Sequence, residues 1–323
     1  MNAIRVTKRG GPEVLLQEEL PLPDLGPTEA LVRLEAIGVN YIDTYQRSGI
    51  YKVALPFTPG SEAAGVVEAV GAEVSEPGVG DRVAYAGVLG AYATHAVVPA
   101  ARLVEIPDGV ETLTAAAVML QGMTAHYLSH TTYPLKEGDT ALVHAAAGGV
   151  GLLLVQMAKM RGARVIGTVS TQAKASLAAG AGADHVILYT SHDFEAEAKR
   201  FTDGRGVQVV YDGVGKTTYE QGMNCLVPRG YFVLFGAASG PVPPVDPQIL
   251  SAKGSLFLTR PTMGHYTATR DELLWRAGDV LGWVASGRLK VRIDSTFPLA
   301  NAGEAHHRLE SRQSAGKILL VPA

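Results

Sequence analysis

The chain has 323 residues, 47% hydrophobic and 18% charged, which is enough material for two buried cores and ordinary for a globular protein. A formal net charge of −3 gives no electrostatic case for binding nucleic acid. A single cysteine, Cys225, excludes an internal disulfide and a thiolate zinc cluster, and the absence of an apolar signal core or a bilayer-length apolar run predicts a cytoplasmic protein without a membrane segment.

From Met1 to about Met119, short β-rich runs at 30–38, 62–70, 82–86 and 91–98 alternate with turns marked by Pro21, Pro23, Pro27, Pro59, Pro77 and Pro107. This pattern predicts a β-rich, barrel-like domain. A helical stretch at 112–129 then leads into strands near Thr140, Arg164, His185, Val207, Gly230 and Ser255, most of them separated by helical patterns. Such alternation specifies a doubly wound parallel sheet. Past Arg260 a helix at 271–286 and short strands near Val291 and Lys317 return the chain to the first domain. His144, ending a core strand, reads as a packed residue, and Cys225 as a buried core thiol.

Within the second region, the apolar run 141–144 breaks at small residues and resumes at 149–160 with helical spacing, giving strand, tight turn and helix. Gly148, Gly149 and Gly151, with Ala147 and Val150 between and beside them, allow close backbone approach to a pyrophosphate at a helix N-terminus. Ala145 replaces the usual first glycine, and a tight turn without a ligand is the competing reading. The next strand, 164–169, ends at Ser170 and Thr171, where NAD-binding proteins carry an acid for the ribose 2′-hydroxyl. No Asp or Glu occurs between Asp139 and Asp184, whereas Lys159, Arg161, Arg164 and Lys174 are basic. The loss of the acid points to NADPH. Lys174 either meets the 2′-phosphate as a point charge or is simply solvated. The segment 254–259 reads as an apolar edge strand with no cover in the chain.

Seven separated motifs, Gly38–Asp43, Pro59–Gly65, Gly80–Val83, Leu120–Thr124, Ala145–Gly151, Tyr211–Gly215 and Leu258–Pro261, occur in order. On these the chain resembles, along nearly its full length, the zinc-free NADPH:quinone oxidoreductases, the zeta-crystallin-like group of the medium-chain dehydrogenase/reductase superfamily. The resemblance implies an α/β fold. A GroES-like β-rich barrel domain formed by 1–125 and 266–323 would accompany a six-stranded Rossmann NADPH-binding domain at 126–265, with the cofactor cleft at their junction. It also implies a homodimer through the edge strand 254–259. Related alcohol dehydrogenases place Cys-His and His-Glu where this chain has Asn40-Tyr41 and Ser61-Glu62, so no metal site is expected, and Glu62 is expected in a structural hydrogen bond or ion pair.

By the same resemblance Asn40, Asp43, Tyr45 and Tyr51 come from loops over the nicotinamide, and Thr124 approaches it. The competing readings are that Asp43 caps a helix and Tyr45 belongs to the core. A tyrosine in the Gly49-Ile50-Tyr51 context is the proton donor of enoyl reductases, so Tyr51 is a candidate for that role. Ser170 and Lys174 are assigned to the 2′-phosphate, Tyr189 to the adenine side, and Val214, Phe235 and Gly236 to later strand ends. Lys317 is assigned to the cofactor or substrate, with a solvated lysine as its alternative. Gln121 stands where relatives often carry lysine, and Ala237-Ala238 where a polar residue is common, both bearing on acceptor choice. The implied activity is reduction of small quinones by NADPH, by one-electron steps to semiquinone as in the family. The alternatives are an NADPH-dependent reductase of activated C=C bonds in enals, enones or enoyl thioesters, and an RNA-binding or structural crystallin-type protein, the last disfavoured by the acidic charge.

Overall fold

The computed structural model describes residues 1–322. The chain forms two compact units, Met1–Met123 together with the residues from Thr267 onward, and Thr124–Tyr266. The first unit begins with β1 (Asn2–Arg5) and β2 (Leu16–Glu19), an antiparallel pair. It continues with β3 (Glu29–Val39), α1 (Tyr41–Ser48), β4 (Glu62–Val70), β5 (Arg82–Ala86), β6 (His95–Pro99) and β7 (Val104–Glu105). Along β3 the period of two puts Ala30, Val32 and Leu34 on the core face, and from Ala36 onward every residue of the strand is buried. Both faces of the strand are thus covered where it runs into α1. The division between units falls inside α2 (Thr112–Tyr127).

The second unit alternates strand and helix: β8 (Thr140–Val143), α3 (Gly149–Met160), β9 (Arg164–Val169), α4 (Gln172–Gly180), β10 (His185–Leu188), α5 (Phe194–Phe201), β11 (Val207–Asp212), α6 (Tyr219–Asn224), β12 (Leu226–Leu234), α7 (Gln248–Ala252), β13 (Phe257–Thr259) and α8 (Met263–Tyr266). The six strands are parallel and ordered β10-β9-β8-β11-β12-β13. Strand order reverses between β8 and β11, the switch point at which such sheets bind ligands outside their carboxyl ends.

The chain then returns to the first unit through α9 (Arg270–Ala285), β14 (Ile293–Pro298), α10 (Ala302–Glu310) and β15 (Lys317–Val321). Strand β15 pairs antiparallel with β3, setting Leu319 opposite Gly38 and Ile318 opposite Val39. That register brings Lys317 to the end of β3. The sheet runs β14-β15-β3-β4-β5-β7, with β6 also on β3. Among the described residues no helix is long and apolar enough to cross a membrane.

Two expected strands are shorter than their apolar runs. The run 91–98 pairs as a strand only from His95, because Tyr92 donates its N–H to Pro59 O and lies in a loop. The edge strand begins at Phe257, not Gly254, because Gly254 (φ 105°) and Ser255 (φ 58°) in succession leave the extended conformation. Phe257 and Leu258 of β13 are nonetheless exposed at the sheet's edge.

Candidate active site and dinucleotide turn

At the junction of β3 and α1, Asn40 and Asp43 open the helix reciprocally: Asn40 N–H donates to Asp43 Oδ2 at 2.8 Å, and Asp43 N–H to Asn40 O at 3.1 Å. The capping reading of Asp43 is therefore correct for its Oδ2. Asn40 and Asp43 are 3% and 0% exposed, and their polar groups face inward. Asn40 Nδ2 donates to Gly38 O at 3.2 Å and to Glu62 Oε2 at 2.8 Å; its Oδ1 accepts from Lys317 Nζ at 2.8 Å and Gln121 Nε2 at 3.5 Å. Asn40 and Asp43 thus position the turn.

Lys317 is not the solvated lysine that stood as the alternative to a cofactor or substrate contact. It is 1% exposed, and its ammonium bonds Glu62 Oε2 directly as well as Asn40. Glu62, 0% exposed, completes its set by accepting Leu120 N–H at 2.6 Å. A buried charge pair survives only when further hydrogen bonds satisfy it, and these bonds provide them. The pair also requires a glycine, since a Cβ on Gly38 would lie 2.1 Å from Glu62 Oε2 and 2.8 Å from Lys317 Cε. Lys317 was legible as a candidate; its partner Glu62 was read as structural, and the space-making role of Gly38 was not seen.

On the other side of Asp43 lies a group that the sequence did not reveal. Tyr92 Oη donates to Asp43 Oδ2 at 3.1 Å, lies 2.9 Å from His306 Nε2, and Arg47 Nη1 lies 2.8 Å from His306 Nδ1. Gly60 admits the phenol ring, as a Cβ there would meet Tyr92 Cδ1 at 2.2 Å. Burial pushes the Asp43 carboxyl up to about 7 against the opposing hydrogen bond from Asn40. The same cause, reinforced by Arg47, depresses His306 to about 3 and keeps it neutral.

Tyr45 is nearly buried and Tyr51 is 41% exposed; their rings meet edge to face at 5.4 Å, and Tyr51 N–H donates to Tyr45 O at 3.0 Å. Gly49 (φ 89°) ends α1 and turns the chain back so that this pair forms. Tyr51 therefore presents more surface than any other candidate near α1. Thr124 is buried on α2 in the second unit.

In the second unit the turn after β8 is built on Ala145, which at φ 52° adopts the conformation a glycine usually supplies. Gly148 is the N-cap of α3, and a Cβ on Gly151 would lie 2.3 Å from Ala145 O. The first helical turn of α3, with Ala147 through Gly151, therefore offers N–H groups and a positive dipole end without side-chain obstruction, a cradle suited to a pyrophosphate. Buried His144 contacts Thr168 Oγ1 at 2.9 Å through Nδ1 and sets its ring edge-on to Phe194, as a packed residue.

The other cofactor candidates follow strand carboxyl ends on the same edge. Ser170 and Lys174 follow β9, Tyr189 follows β10, Val214 follows β11, and Phe235 and Gly236 follow β12. Lys174 occupies the third position of α4, whose N-cap Thr171 accepts its N–H at 3.3 Å. The helix dipole disfavours a cation in the first turn. Helix α5 obeys that rule, with Glu195 and Glu197 in its first turn and Lys199 and Arg200 in its last. Lys174, in the first turn of α4, departs from that rule. Tyr189 is 45% exposed. The loop carrying Val214 is fixed by buried Asp212, which accepts from Val214 N–H at 2.6 Å, Gly215 N–H at 3.0 Å and Thr218 Oγ1 at 2.7 Å. Asp212 was legible only as part of a motif.

Cys225 terminates α6 in the interior, where burial pushes its thiol up to about 12, so it is no nucleophile at neutral pH. Among the described residues no group of three or more His, Cys, Asp or Glu side chains is placed to hold a metal ion.

Residues 26–108 match the alcohol dehydrogenase GroES-like domain, and residues 149–273 the zinc-binding dehydrogenase domain. A quinone oxidoreductase of Pseudomonas aeruginosa is 48% identical over 321 residues, covering 99% of both chains. A 2-haloacrylate reductase from Burkholderia is 41% identical, covering 98% of both. The solved structure of Escherichia coli quinone oxidoreductase complexed with NADPH is 44% identical, covers 100% of both chains, and superposes with a TM-score of 0.98.

Proposed function

The chain belongs to the quinone oxidoreductases of the medium-chain dehydrogenase/reductase superfamily, and from that premise we propose that it is an NADPH-dependent, zinc-independent reductase of small quinones. The observation that carries the reading is the carboxyl edge of the parallel sheet, where a glycine turn adjoins a strand end that has Ser170 and Thr171 in place of an acid. Lys174, set against its own helix dipole, supports recognition of a 2′-phosphate. Zinc independence is supported by Asn40 and Ser61, poor metal ligands, and by the Lys317 ammonium already bonded to Glu62.

In this reading Ala147 through Gly151 hold the pyrophosphate, Ser170 and Lys174 the 2′-phosphate, Tyr189 the adenine side, and Val214, Phe235 and Gly236 the remaining wall. NADPH supplies a hydride when bound, so the protein's work is orientation and the exclusion of water. Thr124 contributes a hydroxyl toward the nicotinamide. Asn40 and Asp43 fix the turn carrying Tyr45 and Tyr51, and Lys317 acts from within by holding Asn40. A homodimer through the exposed face of β13 completes the proposal.

The second reading, reduction of activated C=C bonds, is favoured by the exposure of Tyr51, whose Oη holds a proton that a carbanion would need. Tyr51→Phe separates the two. Alkene reduction should fall roughly a hundredfold or more, the usual scale of acid–base assistance, with quinone reduction little changed. An equal loss on both acceptors would refute the proton-donor role.

A further inference from the structure

We propose that Tyr92 and His306 are positioning residues of this site. Through a one-directional hydrogen-bond chain they hold Asp43 and, through it, the turn of α1 that carries Asn40, Tyr45 and Tyr51. The proposal rests on the reading that this turn lines the reacting site.

The direction of the chain follows from elementary donor and acceptor chemistry. A guanidinium has no acceptor, so Arg47 Nη1 donates to His306 Nδ1, which must be unprotonated. Neutral imidazole then carries its proton on Nε2 and donates it to Tyr92 Oη, whose own proton is left for Asp43 Oδ2. Asp43 Oδ2 therefore accepts from Tyr92 and from Asn40 N–H, and any proton the carboxyl takes sits on Oδ1, which is buried without a hydrogen-bond partner. Arg47, Asp43, Tyr92 and His306 are 2%, 0%, 0% and 0% exposed, so water does not compete for these bonds. The chain is anchored at its far end, where Arg47 pairs with Glu310 at 2.8 Å and donates to Gly10 O at 3.1 Å. It cannot conduct protons, because an arginine at its head does not give one up. Its function is to fix geometry.

The charged groups around Asp43 are Lys317 of β15, which favours its anion, and Glu62 of β4, which opposes it; Tyr92 faces it from the loop before β6, and Arg47 of α1 and His306 and Glu310 of α10 stand behind Tyr92. The ionised carboxylate, at the N-terminus of α1, accepts both bonds and complements the dipole. Asp43 titrates at about 7 because burial disfavours its anion, and above that pH the bonds from Tyr92 and Asn40 are charge-assisted and at their strongest. Removing the Tyr92 hydroxyl withdraws a donor from the anion and raises that midpoint.

The test compares wild type with Tyr92→Phe, His306→Gln and Asp43→Asn, using Tyr85→Phe as control, since Tyr85 is equally buried in the same unit and its hydroxyl has no partner. Each is assayed for NADPH affinity, melting temperature and the pH dependence of kcat/KM, with infrared difference spectra of the carboxyl band as a readout independent of turnover. Expected for Tyr92→Phe is a roughly tenfold loss of kcat, matching a lost hydrogen bond to a charged group, with NADPH affinity retained. The acidic limb and the carboxyl titration should both move up by about one unit, and Asp43→Asn should abolish both. If Tyr92→Phe does not fold, His306→Gln decides the matter through the same limb. Tyr85→Phe removes a buried hydroxyl without a partner and should leave kcat, the pH profile and the melting temperature little changed. Tyr92→Phe and His306→Gln variants with kcat within twofold and the pH profile unmoved, whatever their melting temperature, overturn the proposal. A wild type inactive on every acceptor refutes the functional reading instead, a result separable from variants that match an active wild type.

Discussion

Replacing Lys317 by Met keeps the aliphatic stem and removes the ammonium, leaving Glu62 as a carboxylate with 0% exposure and no cation against it. Breaking a buried ion pair from one side costs about 3–5 kcal/mol. Glu62 would keep two donors, Asn40 Nδ2 at 2.8 Å and Leu120 N–H at 2.6 Å, which places the expected loss near the lower end, about 3 kcal/mol. Urea unfolding followed by tryptophan fluorescence reads this directly, because both tryptophans, Trp275 and Trp283, lie on α9 in the same unit. Combining the substitution with Glu62→Gln should cost less than the sum of the two single losses by roughly 1–3 kcal/mol, the coupling expected of contacting groups. Gly38→Ala should destabilise through the same pair, since its Cβ would stand 2.1 Å from Glu62 Oε2. A loss below about 1 kcal/mol for Lys317→Met, the value of an exposed pair, would refute the claim that this ammonium is structurally committed.

Gly151→Ala would press a Cβ within 2.3 Å of Ala145 O and 2.8 Å of Ala146 Cα, where backbone cannot step aside, so NADPH affinity measured by fluorescence titration should fall tenfold or more, about 1.4 kcal/mol; unchanged affinity would remove the turn from the cofactor site. Lys174→Ala should weaken NADPH by about 1–3 kcal/mol and leave NADH nearly unchanged, and equal loss for both cofactors would contradict a 2′-phosphate contact. Acid should destabilise the first unit through His306, whose depressed folded pKa of about 3 makes its contribution complete above the unfolded value near 6.5 and progressively lost as pH falls toward 3. Over that window the His306 contribution falls by about 5 kcal/mol, while Asp43, raised to about 7, stabilises the fold over nearly the same window as it takes up its proton. The imidazole is therefore read from the difference in urea midpoint between wild type and His306→Gln, and a difference that does not shrink between pH 6.5 and pH 4 would contradict a neutral buried imidazole.

Much of the second unit is written in local chemistry, which explains why it was legible. The apolar run of β8, the small residues after it and the helical spacing of α3 are contiguous, and so are β9 and the Ser170-Thr171 pair at its end. The sequence also marked Asn40, Asp43 and Lys317. It did not reveal how their polar groups are spent, because the partners are remote: Lys317 meets Asn40 277 positions away and Glu62 255 away, and Tyr92 meets His306 across 214. Such contacts depend on the register of β15 against β3, which no periodicity encodes. One glycine in each of the first two motifs has the same explanation. Gly38 and Gly60 exist to admit side chains from elsewhere in the chain, and a glycine read alone suggests only a turn. At β13 the apolar run overstated the strand, since Ser255 carries a backbone conformation that composition does not announce.

The central claim is that this chain oxidises NADPH at the expense of a quinone. The most direct measurement is anaerobic NADPH oxidation by metal-stripped protein, with a simple para-quinone and an enal as parallel acceptors and NADH as the competing donor. The account predicts quinone turnover faster than enal turnover, a preference for NADPH over NADH, and no gain on adding zinc. Turnover of the enal alone, or dependence on restored zinc, would contradict it.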